Sequence, residues 1–157
     1  MNSNNNPINV LITGGAGFIG SALILKIISN NSRYNIVVID EQDPKKPISG
    51  VKYYHFNLAS ENWPSEIYKF NFTYVYHLAA QTSGRISVED PLLDARSNII
   101  GLINVCEFCK QNNVGKLIFT SSMAVYENSN KPLKETHKLN PISNYGISKE
   151  AGEKYIK

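Results

Sequence analysis

The chain reads as an α/β fold, a doubly wound parallel sheet with strand order 3-2-1-4-5. Three observations predict it. Short apolar strands alternate with helix-length crossovers, which makes neighbouring strands parallel and puts helices on both faces. A glycine turn, Thr13-Gly14-Gly15-Ala16-Gly17-Phe18-Ile19-Gly20, joins the first strand directly to the first helix. Gly14, Asp40, His77 to Gln81 and Thr120 to Ser122 all fall at predicted strand C-terminal ends. A sheet of this kind places its ligand crevice there, where the strand order reverses.

The first strand covers residues 8–12 and the first helix residues 18–29, with Phe18, Ile19, Ala22, Leu23, Ile27 and Ile28 as its apolar residues. Between them each glycine has its own task. Gly14 permits a turn that a Cβ would obstruct, Gly17 lets the backbone approach a pyrophosphate, and Gly20 lets the helix pack closely. The helix start offers unpaired N–H groups and a positive dipole end to phosphates. The second strand, residues 35–39, ends in Asp40, twenty residues past Gly20. That separation suits a carboxylate accepting from the adenosine ribose of a dinucleotide. The plain alternative is a strand-end turn residue. Glu41 follows with no Lys or Arg at the strand tip, so a 2′-phosphate would be repelled, and the cofactor expected is NAD.

The third strand spans residues 51–56, with Lys52, Tyr54 and Phe56 on one face. A short helix is expected over 64–70 and the fourth strand over 74–78. A long helix follows Pro91 and runs to about Gln111, with Asp90 as its cap and Pro91 at the first helical position. The fifth strand is 116–121. A polar loop covers 127–144, and the last segment, 145–157, is helical. This is the Rossmann-type arrangement, as one domain over residues 8–157 behind an Asn-rich, disordered tail at 1–7.

Composition narrows the partners. With 157 residues, 42 % hydrophobic and 18 % charged, the chain is an ordinary globular domain with a real core. The net charge of +3 is dispersed and Lys45-Lys46 is the only adjacent basic pair, so nucleic acid is not expected. Apolar runs are short, Leu23-Ile24-Leu25 for instance stopping at Lys26, so no membrane span is expected. Residues 1–6 carry no Lys or Arg, so no signal peptide is read, and the expected location is the cytoplasm. Cys106 and Cys109 form a Cys-x-x-Cys. They fall on a helical apolar pattern with Ile99, Leu102 and Ile103, and no second ligand pair exists. Core packing is the reading, and no metal is expected.

Tyr145-Gly-Ile-Ser-Lys149 places a phenol and an ammonium four apart, on one helical face. A free phenol is a poor base at neutral pH, but a nearby ammonium favours the phenolate. The pair can then remove a proton from a substrate hydroxyl. Ser122, just after the fifth strand, offers a hydroxyl to orient the same oxygen. Ser121 and Thr120 are of the same type, and spacing does not choose among the three.

These segments together resemble the extended branch of the short-chain dehydrogenases/reductases, and within it the NAD-dependent epimerase/dehydratase family of nucleotide sugars. The matching stretches are the glycine turn, His77-Leu-Ala-Ala-Gln81, Asp90-Pro91, Asn98-Ile-Ile-Gly101, Thr120-Ser-Ser-Met-Ala-Val-Tyr126 and Tyr145-Gly-Ile-Ser-Lys149, in family order. The resemblance implies that Gly14, Gly17, Phe18, Ile19 and Gly20 cradle the pyrophosphate and Asp40 holds the adenosine ribose. Asn57 and Leu58 would meet the adenine. Leu78, Ala79, Ala80, Asn98 and Thr120 would line the cofactor crevice. Ser122 would be the catalytic hydroxyl and Tyr145 the base. Lys149 would tune Tyr145 and hold the nicotinamide ribose.

The implied chemistry is a 4-epimerisation. Tyr145 takes the proton of a sugar 4-OH, C4 gives up hydride to NAD, and the 4-keto sugar turns so that hydride returns to its other face. The implied substrate is a nucleotide sugar, a UDP-sugar by likeness, and the implied assembly a homodimer.

Two departures bear on this. Asn57 stands where the family has Asp. Met123 and Ala124 stand where the sugar 4,6-dehydratases carry an acidic pair, which weighs against water elimination. Family members run to about twice this length, so the fold is expected to be truncated before the last strands and the substrate domain. Its eight residues after Lys149 leave almost no sugar site, and alone it is expected to be inactive. A dehydratase or reductase of the same family, and a non-catalytic NAD-binding module, are the competing readings.

Overall fold

The computed structural model describes residues 7–30, 33–60 and 62–157. Apart from Pro7, the segment read as an Asn-rich tail lies outside the described residues. Five strands form one sheet in the order β3-β2-β1-β4-β5: β1 (Ile8–Thr13), β2 (Tyr34–Asp40), β3 (Lys52–His55), β4 (Phe72–His77) and β5 (Lys116–Phe119). Every neighbouring pair is parallel. The predicted fold class and order are those observed.

Alternation within the strands sends side chains to two cores. Val10, Ile12, Ile36 and Val38 pack on one face against Ile24 of α1 (Phe18–Asn30). Leu11, Val37, Ile39 and Val75 pack on the other against Val105 and Phe108 of α4 (Gly101–Gln111). Trp63 stacks on Phe108 with ring centroids 4.7 Å apart, closing the second core beneath the 56–70 connection. Lys52 lies over the Phe70 ring at 4.9 Å, so Lys52, Tyr54 and Phe56 do share the face toward this core.

Several elements differ from the expectation. The 64–70 helix is a single 3-10 turn, Ile67–Lys69. An additional helix, α2 (Gly84–Glu89), precedes the long one, capped by Ser83. The long helix starts as predicted, with Asp90 Oδ1 accepting from Leu93 N at 2.9 Å and Pro91 in the first turn of α3 (Pro91–Ala95). It then widens into one π turn, Arg96–Ile100, before α4. That turn rotates the face of α4. Leu102, Val105 and Phe108 are the buried residues, while Ile103 and both cysteines are half-buried. Burial pushes the Cys109 thiol up to about 12 and raises Cys106 as well, so both are protonated, weakly reactive thiols. The last helix is α5 (Asn144–Tyr155).

Candidate functional site: a dinucleotide cleft beside a buried lysine

A cleft of about 580 Å³ opens at the C-terminal ends of the strands. Its walls include Gly14, Gly17, Phe18, Ile19, Gly20, Asp40, Asn57, Leu58, Leu78, Ala79 and Ala80. The structure thus gathers eleven of the sequence-predicted cofactor residues around one cavity. Glu41, Gln42 and Ser97 also line it; sequence reading assigned no cleft role to Gln42 or Ser97, which carry no motif.

The glycine turn is shaped by close approach. Gly14 has φ +72, and a Cβ there would stand 2.6 Å from the backbone nitrogen of Ala79. A Cβ on Gly20 would stand within van der Waals overlap of the Gly14 carbonyl, at 2.3 Å. So Gly20 brings the helix onto the turn itself rather than onto a strand. Phe18 and Ile19, exposed at 92 % and 62 %, begin α1, where backbone N–H groups lack an intrahelical acceptor.

Asp40 closes the turn from the side. Its Oδ2 accepts from Ala16 N and its Oδ1 from Gln42 N, each at 3.0 Å. A carboxylate has about four lone-pair sites, so both oxygens can still accept from a diol. The cleft therefore fits a dinucleotide: unpaired N–H donors for phosphate, a carboxylate for a ribose and apolar walls on either side.

The other wall rests on buried polar groups. His77 Nδ1 lies 2.7 Å from Thr13 Oγ1, and Ala79 N donates to the same hydroxyl at 3.3 Å. Burial, helped by the charge of Lys149, lowers His77 to about 3, so its ring is neutral. Asn98 does not line the cleft. It is buried behind it, with Oδ1 accepting from Gln81 N at 2.9 Å and Nδ2 donating to Gln81 O, Asp94 Oδ1 and Ser148 Oγ. This network ties the 78–81 wall to α5.

Three hydroxyls compete after β5. Thr120 Oγ1 donates to His77 O, and Ser121 Oγ donates to Glu153. Ser122 Oγ accepts from Ala124 N at 3.2 Å. Among the described residues its proton has no acceptor, which distinguishes it from the other two. Gly146 then brings α5 against this turn: a Cβ there would stand 2.2 Å from Ala124 O. Tyr145 and Lys149 share one face of α5, and Lys149 reaches the end of β5, but neither they nor Thr120 and Ser122 are among the residues lining the cleft.

Lys149 is 3 % exposed. Its Nζ donates to Thr120 O at 2.9 Å and sits 4.8 Å from the centre of the Phe119 ring. Burial lowers its pKa to about 8, against an opposing pull from Asp94. The ammonium is still the main form at neutral pH.

Fold and cleft together define a dinucleotide-binding α/β protein of the doubly wound class. The profile of the NAD dependent epimerase/dehydratase family matches residues 10–157. The chain is similar to a putative UDP-glucose 4-epimerase of Methanocaldococcus jannaschii, 38 % identical over 153 residues, 94 % of this chain and 50 % of that protein. Among solved structures it is similar to the UDP-glucose 4-epimerase of Thermotoga maritima with UDP-glucose, 37 % identical with TM-score 0.83, covering 95 % of this chain and 50 % of that one. It is also similar to the UDP-glucose 4-epimerase of Thermus thermophilus in complex with NAD, 33 % identical with TM-score 0.83, covering 95 % and 50 %. The chain belongs to the NAD dependent epimerase/dehydratase family. It spans about half the length of the curated relatives it matches.

Proposed function

We propose that the cleft holds NAD and that the protein acts as a nucleotide-sugar 4-epimerase on a UDP-sugar. When bound, NAD supplies a hydride acceptor and, once reduced, a hydride donor. The N–H groups of Phe18 and Ile19 meet the pyrophosphate, and Asp40 accepts from the adenosine ribose. Asp40 and Glu41 repel a 2′-phosphate. Lys149 has two N–H donors beyond the one given to Thr120 O, enough for the second ribose. Tyr145, one helical turn from Lys149, takes the proton from the sugar 4-OH. Ser122, with its proton uncommitted, donates to the same oxygen and orients it.

The observation that supports this most is the buried lysine held at the end of β5, one helical turn from Tyr145. A buried cation is costly, and such perturbed groups gather at reacting centres. Met123 and Ala124 favour epimerisation over dehydration, because water elimination needs an acid and a base that neither provides. The test is interconversion of UDP-glucose and UDP-galactose by a longer protein that contains this chain, with Tyr145→Phe as the control. The variant is expected to lose activity by about 10²–10⁴-fold while retaining its NAD affinity. Equal turnover by Tyr145→Phe would refute the assignment of the base.

A further inference from the structure

The buried ammonium of Lys149 meets an aromatic ring where an ion-pair partner would be expected. Lys149 is out of water, yet among the described residues no carboxylate forms an ion pair with it. Its hydrogen bond goes to a neutral acceptor, Thr120 O at 2.9 Å. Nζ stands over the ring of Phe119, 4.8 Å from its centre. A ring face carries partial negative charge and attracts a cation within about 6 Å, most strongly where water is excluded.

The ring is held in that attitude from two sides. It stacks with the imidazole of His77, centroids 5.9 Å apart and planes 19° from parallel. His77 is neutral, so it does not compete as a second cation for the ring. Gly152, three residues past Lys149 on α5, stands over the ring edge. A Cβ there would lie 2.7 Å from Phe119 Cζ and 3.0 Å from Leu102 Cδ2. The helix that carries Lys149 thus keeps a glycine in its interior, at a cost in helix propensity, and the ring occupies the space.

We propose that Phe119 is a positioning residue: the face of its ring, in place of a carboxylate, holds the Lys149 ammonium charged and fixed at the end of β5. A contacting carboxylate would take N–H donors from the ammonium, whereas the ring holds the charge without a lone pair to satisfy. Its part in the reaction rests on the reading of Lys149 as the ligand of the second ribose. The other titratable groups around Lys149 are Asp94 of α3, which favours its charged form, the neutral His77 of β4, and Tyr145 and Glu153, four residues to either side on α5.

The experiment follows the Cε resonance of Lys149 through a pH titration of the 157-residue chain carrying isotope-labelled lysine, the peak being identified by its loss in Lys149→Met. Three forms are compared: the wild type, Phe119→Leu, and the chain with a phenylalanine fluorinated at both ortho carbons in place of Phe119. Leu substitutes apolar bulk for the ring. The fluorinated ring keeps the shape, leaves the Cζ edge toward Gly152 unaltered and weakens the charge of the face. The wild type is expected to titrate at about pH 8. Phe119→Leu is expected about one pH unit lower, a tenfold loss of proton affinity, and the fluorinated form at least about 0.3 unit lower, a twofold loss. A ring that merely covered the lysine would give the opposite sign in Phe119→Leu, because admitted water favours the charged form. The fluorinated form decides, whether or not Phe119→Leu folds: a midpoint less than about 0.3 unit below the wild type, or above it, overturns the proposal. The titration uses neither cofactor nor sugar. Failure of a longer protein to turn over UDP-sugars would therefore overturn the epimerase reading and leave the ring's hold on the ammonium to be judged by this result.

Discussion

The two sides of the cleft are built by different physics. On the β1–β2–β3 side the walls are backbone and apolar contact. Gly14 and Gly20 sit where any Cβ would overlap a neighbouring main chain, and one carboxylate closes the turn. On the β4–β5 side the walls lean on buried polar groups: His77, Asp94, Asn98, Ser148 and Lys149, all at most 3 % exposed. The first side is a mould, intolerant of added volume. The second keeps a cation out of water at a cost to stability, as expected where a proton must later be moved.

The contrast can be broken from the polar side first. His77 is neutral in the fold, facing Thr13, the Phe119 ring and the Lys149 ammonium. Its folded pKa of about 3 lies below the unfolded value of 6.5, so the unfolded chain binds the extra proton between these limits. Stability therefore falls as pH drops from 6.5 toward 3, by an amount on the order of 4–5 kcal/mol for this group. Denaturant titrations across that range should show a clearly flatter slope for His77→Asn than for the wild type. Equal slopes would place the acid sensitivity elsewhere.

The mould side should answer to volume. Gly14→Ala forces a Cβ against Ala79 at a left-handed backbone position and should cost about 2–4 kcal/mol. That corresponds to a melting temperature roughly 6–12 °C lower, with no change in pH dependence. A variant within about 2 °C of the wild type would mean that the turn relaxes freely.

Lys149 sharpens the same comparison at alkaline pH. Its folded pKa of about 8 lies below the unfolded 10.5, so the unfolded state again holds the extra proton between those values. Stability should rise as pH goes from 8 to 10.5, by up to about 3 kcal/mol, because deprotonation relieves the buried charge. Lys149→Met should lack that rise. A parallel rise in the variant would show that the lysine is not the group responsible.

What the sequence disclosed follows the same division. The glycine spacing, Asp40 and the strand order are local patterns with a mechanical cause, and they were legible. Tyr145 and Lys149 were legible because four residues make one helical turn. The polar side was mostly hidden. The Thr13–His77 contact spans 64 residues and the Asn98–Ser148 contact 50, and no periodicity announces them. Asn98 was placed facing the crevice, whereas the π turn at Arg96–Ile100 sets it behind the wall. Gly146 gave no local sign either, since its reason lies in the Ala124 carbonyl on another segment. The choice among Thr120, Ser121 and Ser122 needed the partners of all three hydroxyls.

The central claim is that the cleft is an NAD site, and calorimetric titration of this chain with NAD and NADP tests it most directly. Saturable binding of NAD is predicted, with NADP weaker by at least about tenfold because the carboxylates of Asp40 and Glu41 in the cleft wall would repel a 2′-phosphate. Asp40→Asn should lessen that discrimination. No heat of binding at millimolar NAD, or equal affinity for the two dinucleotides, would contradict the account.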